Sequence, residues 1–503
     1  MVWLLGTKAQ IDDADVAVGR RMLVLEGALS QSMLVLTTGA FLIAFAIELG
    51  ASNVVIGLLA AVGPLAQAAQ IPAVLLVERL RRRRAIAVLA GGISRVMWFV
   101  MAAIPFVLPA AWAVPVLLIC LAVHFGVGAV SGCAFNSWVR DLIPTATVSR
   151  FFARRLAIAT ALGAALSLCG GVAIDFWKAR DGEPLMAYAA LFIVGGACGI
   201  VGLLFLARAP EPTMPPAAKG GILRTFIEPL SHSNFRQLVI FLGWWSFAVN
   251  LAAPFFAVYM LQRLGLSMTW VLGLSVASQL LNVLFFPVWG AIAERLSNKS
   301  VLLFCGALFI FSFLLWPLST LPERYVLTIP ILLAFHILAG VSTAGVNLCA
   351  GNLVLKIAPY GKAGTFLAVN GLVCGLAATV APIMAGLMAD LFAEEELMLT
   401  LALHSGEGLH NPIDVPTLSI SGLDFLFIIA FVLGTYAMHR LLSVKEQGEV
   451  ESQAVRDALF GEMRRVARQV STVAGVRQVL MFPAALLARG RRTEEDGEQA
   501  ETD

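Results

Sequence analysis

Residues 74–83 of this chain read VLLVERLRRR, and residues 290–299 read GAIAERLSNK. Both stretches end a long apolar run with a Glu-Arg pair, and Glu78 of the first copy matches Glu294 of the second at a shift of 216 residues. A repeat of this length in an apolar chain predicts two related membrane halves, which is typical of transporters whose site lies between the repeats. Further pairs at this shift, or at one residue less, are Gly27 and Gly243, Gly57 and Gly273, Pro144 and Pro359, and Phe151 and Phe366.

The composition is that of a polytopic membrane protein. The chain has 503 residues, of which 59% are hydrophobic and only 13% charged, and its mean hydropathy is +0.86. A soluble domain carries about a quarter charged residues. The net charge of +3 is too small to indicate nucleic-acid binding, so the expected surroundings are a lipid bilayer. The seven cysteines lie in apolar segments without a CxxC pair, which predicts neither disulfides nor a metal site.

Twelve apolar runs are long enough to cross a bilayer as helices, which takes about 20 residues each. We therefore predict an all-α membrane protein with twelve transmembrane helices in two pseudo-symmetric six-helix halves. The predicted halves are residues 1–207 and 237–444, with a linker at 208–236 and a tail at 445–503 that holds an amphipathic helix. The runs are residues 22–46, 53–77, 85–108, 112–139, 155–177, 185–207, 237–261, 268–292, 300–320, 326–352, 363–391 and 421–442.

Basic residues are distributed unevenly between the two sides of this topology. Thirty of the 35 lysines and arginines fall in the termini, the linker and the loops on the same side. Because such residues favour the cytoplasm, we expect both termini there, in a multi-pass plasma-membrane protein. The prolines and glycines of the linker predict a flexible tether between the halves. The long acidic segment 392–420 on the opposite side predicts a solvated loop.

The two Glu-Arg stretches resemble the loop motif of the major facilitator superfamily, G-x-x-x-D-R-x-G-R-R, with Glu in place of Asp in both copies. The first copy lacks the leading Gly, which the second has as Gly290. The resemblance covers residues 20–444 and implies a bacterial inner-membrane transporter of the rocker-switch type, with spans 1, 2, 4, 5, 7, 8, 10 and 11 lining a central cavity. The loop between spans 4 and 5 of bacterial members is similar to Trp138-x-Arg140-Asp141-Leu142-x-Pro144 and Arg150-Phe151-Phe152-x-Arg154-Arg155.

The loop motif predicts a gate. Carboxylates at helix ends beside arginines can pair across the seam between the halves, and such pairs have to break when the cytoplasmic side opens. The alternative is that these charges only orient the spans in the membrane. The residues of the predicted latch are Glu78, Arg79, Glu294, Arg295, Arg140 and Asp141.

Few ionisable residues fall within the predicted spans, and each is a functional candidate because charge at bilayer depth is costly. Arg95 lies near the middle of span 3, where it either binds an anionic substrate or, as we expect, forms a structural bond within its own half. Glu26, near the cytoplasmic end of span 1, is a candidate for a gate. His124 and His336 occupy equivalent places in spans 4 and 10. Either histidine can carry a coupling proton, and the alternative is a neutral ring bonded to its neighbours.

Uncharged polar side chains within the spans form a larger group of candidates. Amides in lipid have to find partners, and a water-filled cavity or a substrate supplies them. Bonds between helices supply them as well. The amides that we expect to line the cavity with the two histidines are Gln31, Gln67, Gln70, Asn136, Asn250, Gln279, Asn282 and Asn347.

These features predict a secondary active transporter of a small organic molecule, with efflux slightly favoured over uptake. We expect alternating access by a monomer, no cofactor, no metal and no nucleic acid, and a coupling proton or ion as the one further partner. An enzyme is not expected, since nucleotide-binding, metalloprotease and nucleophile-elbow motifs do not occur in a fitting context. The alternative is a non-transporting membrane protein on the same fold, such as an assembly factor or a receptor.

Overall fold

The computed structural model describes residues 6–8, 11–214, 228–320, 324–359, 362–403 and 413–446. Twelve helices of the described chain are long and apolar enough to cross a membrane, which confirms the predicted architecture. Those of the first half are α1 (Asp13–Thr37, continued by Ala40–Glu48), α2 (Asn53–Ala66, continued by Gln70–Leu80), α3 (Arg83–Val107), α4 (Ala110–Leu142), α5 (Thr145–Lys178) and α6 (Pro184–Arg208). Those of the second half are α7 (Ser233–Val258), α8 (Met268–Arg295), α9 (Asn298–Ser312), α10 (Thr328–Ile357), α11 (Ala363–Leu391) and α12 (Leu423–Leu442).

Helices α1 and α2 are interrupted where the chain leaves regular helical geometry. Gly39 at the break in α1 has a φ of 62°, a left-handed conformation that glycine adopts without steric cost. A 3₁₀ turn at Gln67–Ala69 joins the two parts of α2 shortly after Pro64, whose ring removes a helical hydrogen bond. α7 ends in a π turn at Tyr259–Arg263, and α9 ends in a 3₁₀ turn at Phe313–Leu315.

The repeat in the sequence is also a repeat in the packing. α1 contacts α5 and α6, and α3 contacts α4 and α6. The same pairs recur as α7 with α11 and α12, and as α9 with α10 and α12. The halves meet through α2 with α11 and through α5 with α8, so these four helices form the seam along which the halves can separate.

The two ends of the helix bundle differ in charge and in structure. We call the end that carries the loops at 81–82, 143–144, 296–297 and 358–362 the basic face. The opposite end, which carries the connection between α11 and α12, is called the hairpin face. The chain enters α1 and leaves α12 at the basic face.

The connection at the hairpin face contains a β-hairpin where the sequence predicted a solvated loop. β1 (Glu396–Leu403) pairs antiparallel with β2 (Ile413–Ser421), with Leu397 opposite Ile420. The loop prediction is wrong for these strands, because leucine at every second position of 397–403 has the period of a strand. The hairpin tip and the tail after residue 446, with its predicted amphipathic helix, lie outside the described residues.

The start of the linker packs onto the first half. Trp138 Nε1 of α4 donates to the Pro210 carbonyl at 2.8 Å. The Lys8 backbone N–H donates to the Glu211 carbonyl at 2.9 Å, and the Thr213 N–H donates to the Lys8 carbonyl at 3.0 Å. The prediction of a flexible tether is therefore wrong for this part of the linker, because its backbone is hydrogen-bonded to the bundle and to the N-terminal strand-like segment.

Candidate functional site

The two halves are joined at the hairpin face by a carboxylate that binds a helix N-terminus. Asp175, near the end of α5, accepts hydrogen bonds from the backbone N–H groups of Met268 (2.9 Å) and Thr269 (2.8 Å), the first two residues of α8. Ser267, which precedes them, makes no side-chain cap of its own. The carboxylate of the other half takes that role, and both the N–H groups and the helix dipole stabilise its charge.

The same contact recurs with the halves exchanged. Asp390, near the end of α11, accepts hydrogen bonds from the side-chain amide of Asn53 (2.9 Å) and from the backbone N–H of Val54 (3.3 Å), at the start of α2. Asp175 and Asp390 are 215 residues apart, which is one of the two shifts that relate the halves. Each half thus caps one helix of the other, and we call these two contacts the paired gate.

Small residues allow the helices of the paired gate to approach closely. A Cβ atom at Gly57 of α2 would overlap the Pro382 carbonyl oxygen of α11, and one at Gly386 of α11 would overlap the Asn53 carbonyl oxygen. At Gly171 of α5 it would overlap a side chain of α8. A larger residue at any of these positions would separate the halves at the hairpin face.

Apolar packing between the halves is concentrated at the same end. Ile56 of α2 packs into a core cluster of the second half, and Met268 and Leu272 of α8 pack into a core cluster of the first half. In the described chain, the two clusters near the basic face each contain residues of one half only. The halves therefore share a core near the hairpin face and have separate cores near the basic face.

The predicted latch residues at the ends of α2 and α8 lie at the open end. Arg79, Glu294 and Arg295 are exposed, and Glu78 is half-buried. Among the described residues, every hydrogen bond or ion pair that crosses between the halves belongs to the paired gate. The interior space thus opens towards the basic face, and pairing of these four residues in the opposite state stays a prediction.

Asp141, predicted as part of the latch, is bound within its own half. It forms an ion pair with Arg83 at the start of α3, and Arg140 Nε lies 3.7 Å from its other oxygen. Arg83 is fully buried and also donates to the carbonyls of Ser137 (3.1 Å) and Pro212 (2.8 Å). In this state Arg140 and Asp141 therefore hold α3, α4 and the linker together rather than joining the halves.

Two carboxylates that sequence reasoning missed cap helices at the basic face. Glu211, after α6, accepts a hydrogen bond from the Arg83 backbone N–H at 2.6 Å, at the start of α3. Glu446, after α12, accepts one from the Lys299 backbone N–H at 2.7 Å, at the start of α9, and one from Lys356 Nζ at 2.8 Å. Each carboxylate follows the last helix of its half by a few residues, so the repeat was a signal that could have found them.

The two capping carboxylates differ in their electrostatics. Burial raises the pKa of Glu211 above its ordinary value, although the N–H groups of α3 act against the shift. Burial raises the pKa of Glu446 as well, but hydrogen bonds from Lys356, Asn298 and the start of α9 outweigh it and hold that pKa below its ordinary value. The cap of the second half is therefore the more strongly bound anion.

Three charged side chains meet inside the first half, and we call Arg95, Glu26 and Arg155 the arginine–glutamate cluster. Arg95 Nη2 of α3 lies 3.2 Å from Glu26 Oε1, and Arg155 Nη2 of α5 lies 2.9 Å from Glu26 Oε2. Arg95 also donates to Ser30 Oγ at 2.8 Å and to the Gly199 carbonyl of α6. Arg95 and Glu26 are buried and bonded within their own half. Sequence reasoning missed Arg155 because it assigned that arginine to the loop.

His124 and His336 face the outer helices of their own halves. His124 Nδ1 lies 2.8 Å from the Ser94 carbonyl oxygen of α3, and its ring is 4.8 Å from that of Trp98. His336 Nδ1 lies 2.8 Å from the Leu332 carbonyl oxygen of its own helix. Both side chains are buried, so the structure does not place either ring in the interior space.

The predicted cavity amides fall into two groups. The first group is exposed and lies on α2, α4, α8 and α10: Gln67, Asn136, Gln279 and Asn347. The second group is half-buried: Gln31, Gln70, Asn250 and Asn282. Asn250 Nδ2 donates to the Ser246 carbonyl at 2.7 Å, and Asn282 Nδ2 donates to Thr343 Oγ1 at 2.9 Å. The exposed group is available to a solute, whereas these two amides bond between or within helices.

Two six-helix halves that meet at one membrane face and are apart at the other define a multi-pass membrane protein of the rocker-switch class. The chain belongs to the Major Facilitator Superfamily, whose family model matches residues 27–382. Among curated proteins, no sequence matches that of this chain.

Solved transporter structures share this fold. The nucleoside transporter NupG is 13% identical with a TM-score of 0.61, over 86% of this chain and 98% of its own. A D-xylose–proton symporter is 15% identical with a TM-score of 0.60, over 85% and 98%. A bacterial homologue of the human lysosomal transporter Spinster, inward-facing and unoccupied, is 15% identical with a TM-score of 0.58, over 86% and 96%. Such low identities establish the fold and leave the substrate open.

Proposed function

We propose that this protein is a secondary active transporter that moves a small organic molecule by alternating access. The observation that carries the proposal is the paired gate, because two equivalent contacts close one face while the interior opens at the other. Such contacts have to break and reform once in each cycle, so the halves rock about the site between them. The protein carries its substrate without changing it chemically and is not an enzyme.

The basic face is proposed to lie in the cytoplasm. Thirty of the 35 lysines and arginines fall on that side or in the tail, and this asymmetry sets the orientation of membrane proteins. In the plasma membrane, the state described above is then open to the cytoplasm and closed to the outside. One chain supplies both halves of the interior, so a monomer suffices.

The proposed direction is export of an amphiphilic molecule. Apolar walls dominate the spans, and the exposed amides Gln67, Asn136, Gln279 and Asn347 supply a limited number of hydrogen bonds. An interior open to the cytoplasm suits loading from that side. A coupling proton or ion remains part of the proposal, although neither histidine of the spans is placed to carry it.

The test combines a ligand screen with distance measurements. Purified protein is screened for thermal stabilisation by organic anions, cations, sugars and nucleosides, since a ligand of the folded state raises its stability. Spin labels at Leu80 and Leu355 then report the basic face, and labels at Trp112 and Leu327 report the hairpin face; all four residues are exposed. We expect the stabilising ligand to shift the two distances in opposite directions and to cross proteoliposome membranes. Distances that never change, without flux, would favour the non-transporting alternative.

A further inference from the structure

The arginine–glutamate cluster contains more positive than negative charge. The single carboxylate of Glu26 is shared by the guanidinium groups of Arg95 and Arg155. Taking an uncompensated charge out of water costs several kcal/mol, and ionisable side chains at membrane depth usually mark a site of binding or transport. The cluster is thus short of one negative charge.

Arg155 is the member of the cluster with an open side. Its side chain is 22% exposed, whereas that of Glu26 is 6% exposed. Arg155 Nε donates to the Leu23 carbonyl at 3.0 Å, Nη2 faces Glu26, and among the described residues no hydrogen bond ends on Nη1. The positive charge that lacks a partner is therefore accessible at Nη1 of Arg155.

The position of Arg155 places this charge at the interior space. The guanidinium lies between α1, which provides Leu23, and α4, where the Phe135 ring is 5.4 Å away. A Cβ atom on Gly27 would overlap Arg155 Nε, so a glycine in α1 provides the room for it. Three inner helices surround the group, and its exposed edge borders the space that opens to the basic face.

The second half has no corresponding charge. At the repeat shifts of 216 and 215 residues, Glu26 matches Leu242, Arg95 matches Phe311, and Arg155 matches Asn370. The pseudo-symmetry puts Asn370 of α11 at the depth of Arg155 in the opposite half. One wall of the interior thus offers a cation and the other an amide and apolar side chains.

We propose that Arg155 binds the anionic group of the transported molecule, which is an organic monoanion. Glu26 and Arg95 are positioning residues that hold the guanidinium, and the Phe135 ring contacts the apolar body next to the charged group. One uncompensated positive charge matches one negative charge. The site rests on the proposed function, because it names the substrate class of the same interior space.

The experiment measures the electrostatic potential beside Arg155 with a reporter thiol. Ala157→Cys is introduced into the full-length chain with its seven native cysteines replaced by alanine. Ala157 is exposed and precedes Asp175 by about five helical turns, so it lies on the face of α5 that meets α8 at the paired gate. Modification rates with a sulfonate-bearing and a trimethylammonium-bearing methanethiosulfonate are each divided by the rate with a free small thiol.

We expect the anionic reagent to react faster than the cationic one, and Arg155→Gln to lower the ratio of the two rates. A unit charge about 10 Å away at an effective dielectric constant near 20 changes this ratio on the order of tenfold or more. Arg155→Lys, which keeps the charge, and Arg79→Gln, at an exposed arginine of α2, should stay within about twofold of the parent. A parent ratio at or below one would overturn the proposal even if Arg155→Gln fails to fold, as would an unchanged ratio in that variant.

A second arm identifies the class of anion. Benzenesulfonate should slow modification of the thiol, whereas the uncharged benzenesulfonamide of the same shape should not, and Arg155→Gln should abolish the difference. Protection by chloride or phosphate without protection by benzenesulfonate would overturn the organic class. Flux in proteoliposomes separates the two proposals: a positive potential without flux contradicts transport alone, and flux with no positive potential contradicts the anion site alone.

Discussion

Glu26 is the residue on which the buried charges of the first half depend, because Arg95 and Arg155 both bond to its carboxylate. Breaking a buried ion pair by removing one partner costs about 3–5 kcal/mol. We expect Glu26→Gln to lower the free energy of unfolding by an amount of that order, measured by denaturant titration in detergent. The matched change Glu294→Gln, at an exposed glutamate, should cost less than about 0.5 kcal/mol. Equal losses in the two variants would contradict the role assigned to Glu26.

The two histidines of the spans lead to a prediction about pH. His124 and His336 bond to Ser94 and Leu332, respectively, and are buried away from the interior space. We therefore expect His124→Gln and His336→Gln to leave the pH dependence of transport unchanged between about pH 5 and pH 8, the range in which histidine titrates. Initial flux of the ligand found in the screen is the measurement. A profile displaced in either variant would assign a coupling proton to that ring.

The paired gate acts at the level of helices, because each carboxylate holds the N-terminus of a helix from the other half. Each charge–helix contact contributes about 1 kcal/mol. Asp175→Asn and Asp390→Asn should therefore add to about 2 kcal/mol in the double variant, since the two contacts are independent. That is a roughly 30-fold shift towards the state that is open at the hairpin face. The distance between labels at Trp112 and Leu327 measures it, and Glu394→Gln, an exposed glutamate of the same face, should leave it unchanged.

The helix caps at the basic face give opposite pH dependences. The pKa of Glu446 is lowered in the folded protein, so its stabilisation is complete above the ordinary glutamate pKa and is lost as the pH falls through the lowered value. The pKa of Glu211 is raised, so its contribution is largest below the ordinary value and is lost as the pH rises through the raised value. Unfolding of Glu446→Gln and Glu211→Gln is compared with the parent protein between about pH 3.5 and pH 7. The stability lost in Glu446→Gln should grow with pH and that in Glu211→Gln should shrink; parallel trends would contradict these assignments.

The state of the whole molecule is a balance between its two ends. Glu78 and Glu294 have no partner across the seam in the described state, and we expect them to pair with arginines when the basic face closes. Exposed ion pairs contribute up to about 1 kcal/mol each. Glu78→Gln with Glu294→Gln should therefore favour the state open at the basic face by up to about 30-fold, read from labels at Leu80 and Leu355. Glu183→Gln on the opposite face is the control, and a shift in the other direction would mean that these residues do not form the latch.

The twelve spans and their two-fold repeat could be predicted because length, hydropathy and the Glu-Arg pairs are properties of the sequence itself. The paired gate could not be predicted by searching for opposite charges, since the partners of Asp175 and Asp390 are backbone N–H groups of a helix end. Arg155 was hidden for another reason: the start of α5 extends beyond the predicted span, so the residue reads as part of a basic loop. The hairpin was lost because its alternating leucines follow an acidic run at Glu394–Glu396.

The paired gate has the contact pattern of a homodimer. Asp175 of one half binds the start of α8 in the other, and Asp390 binds the start of α2 in return. In an isologous interface, one surface patch meets its own copy, so a single residue generates two contacts at once. A six-helix protein with one such aspartate near the end of its fifth helix would close against a second copy of itself through both contacts. Gene duplication and fusion would then preserve a gate that one ancestral residue had already supplied twice.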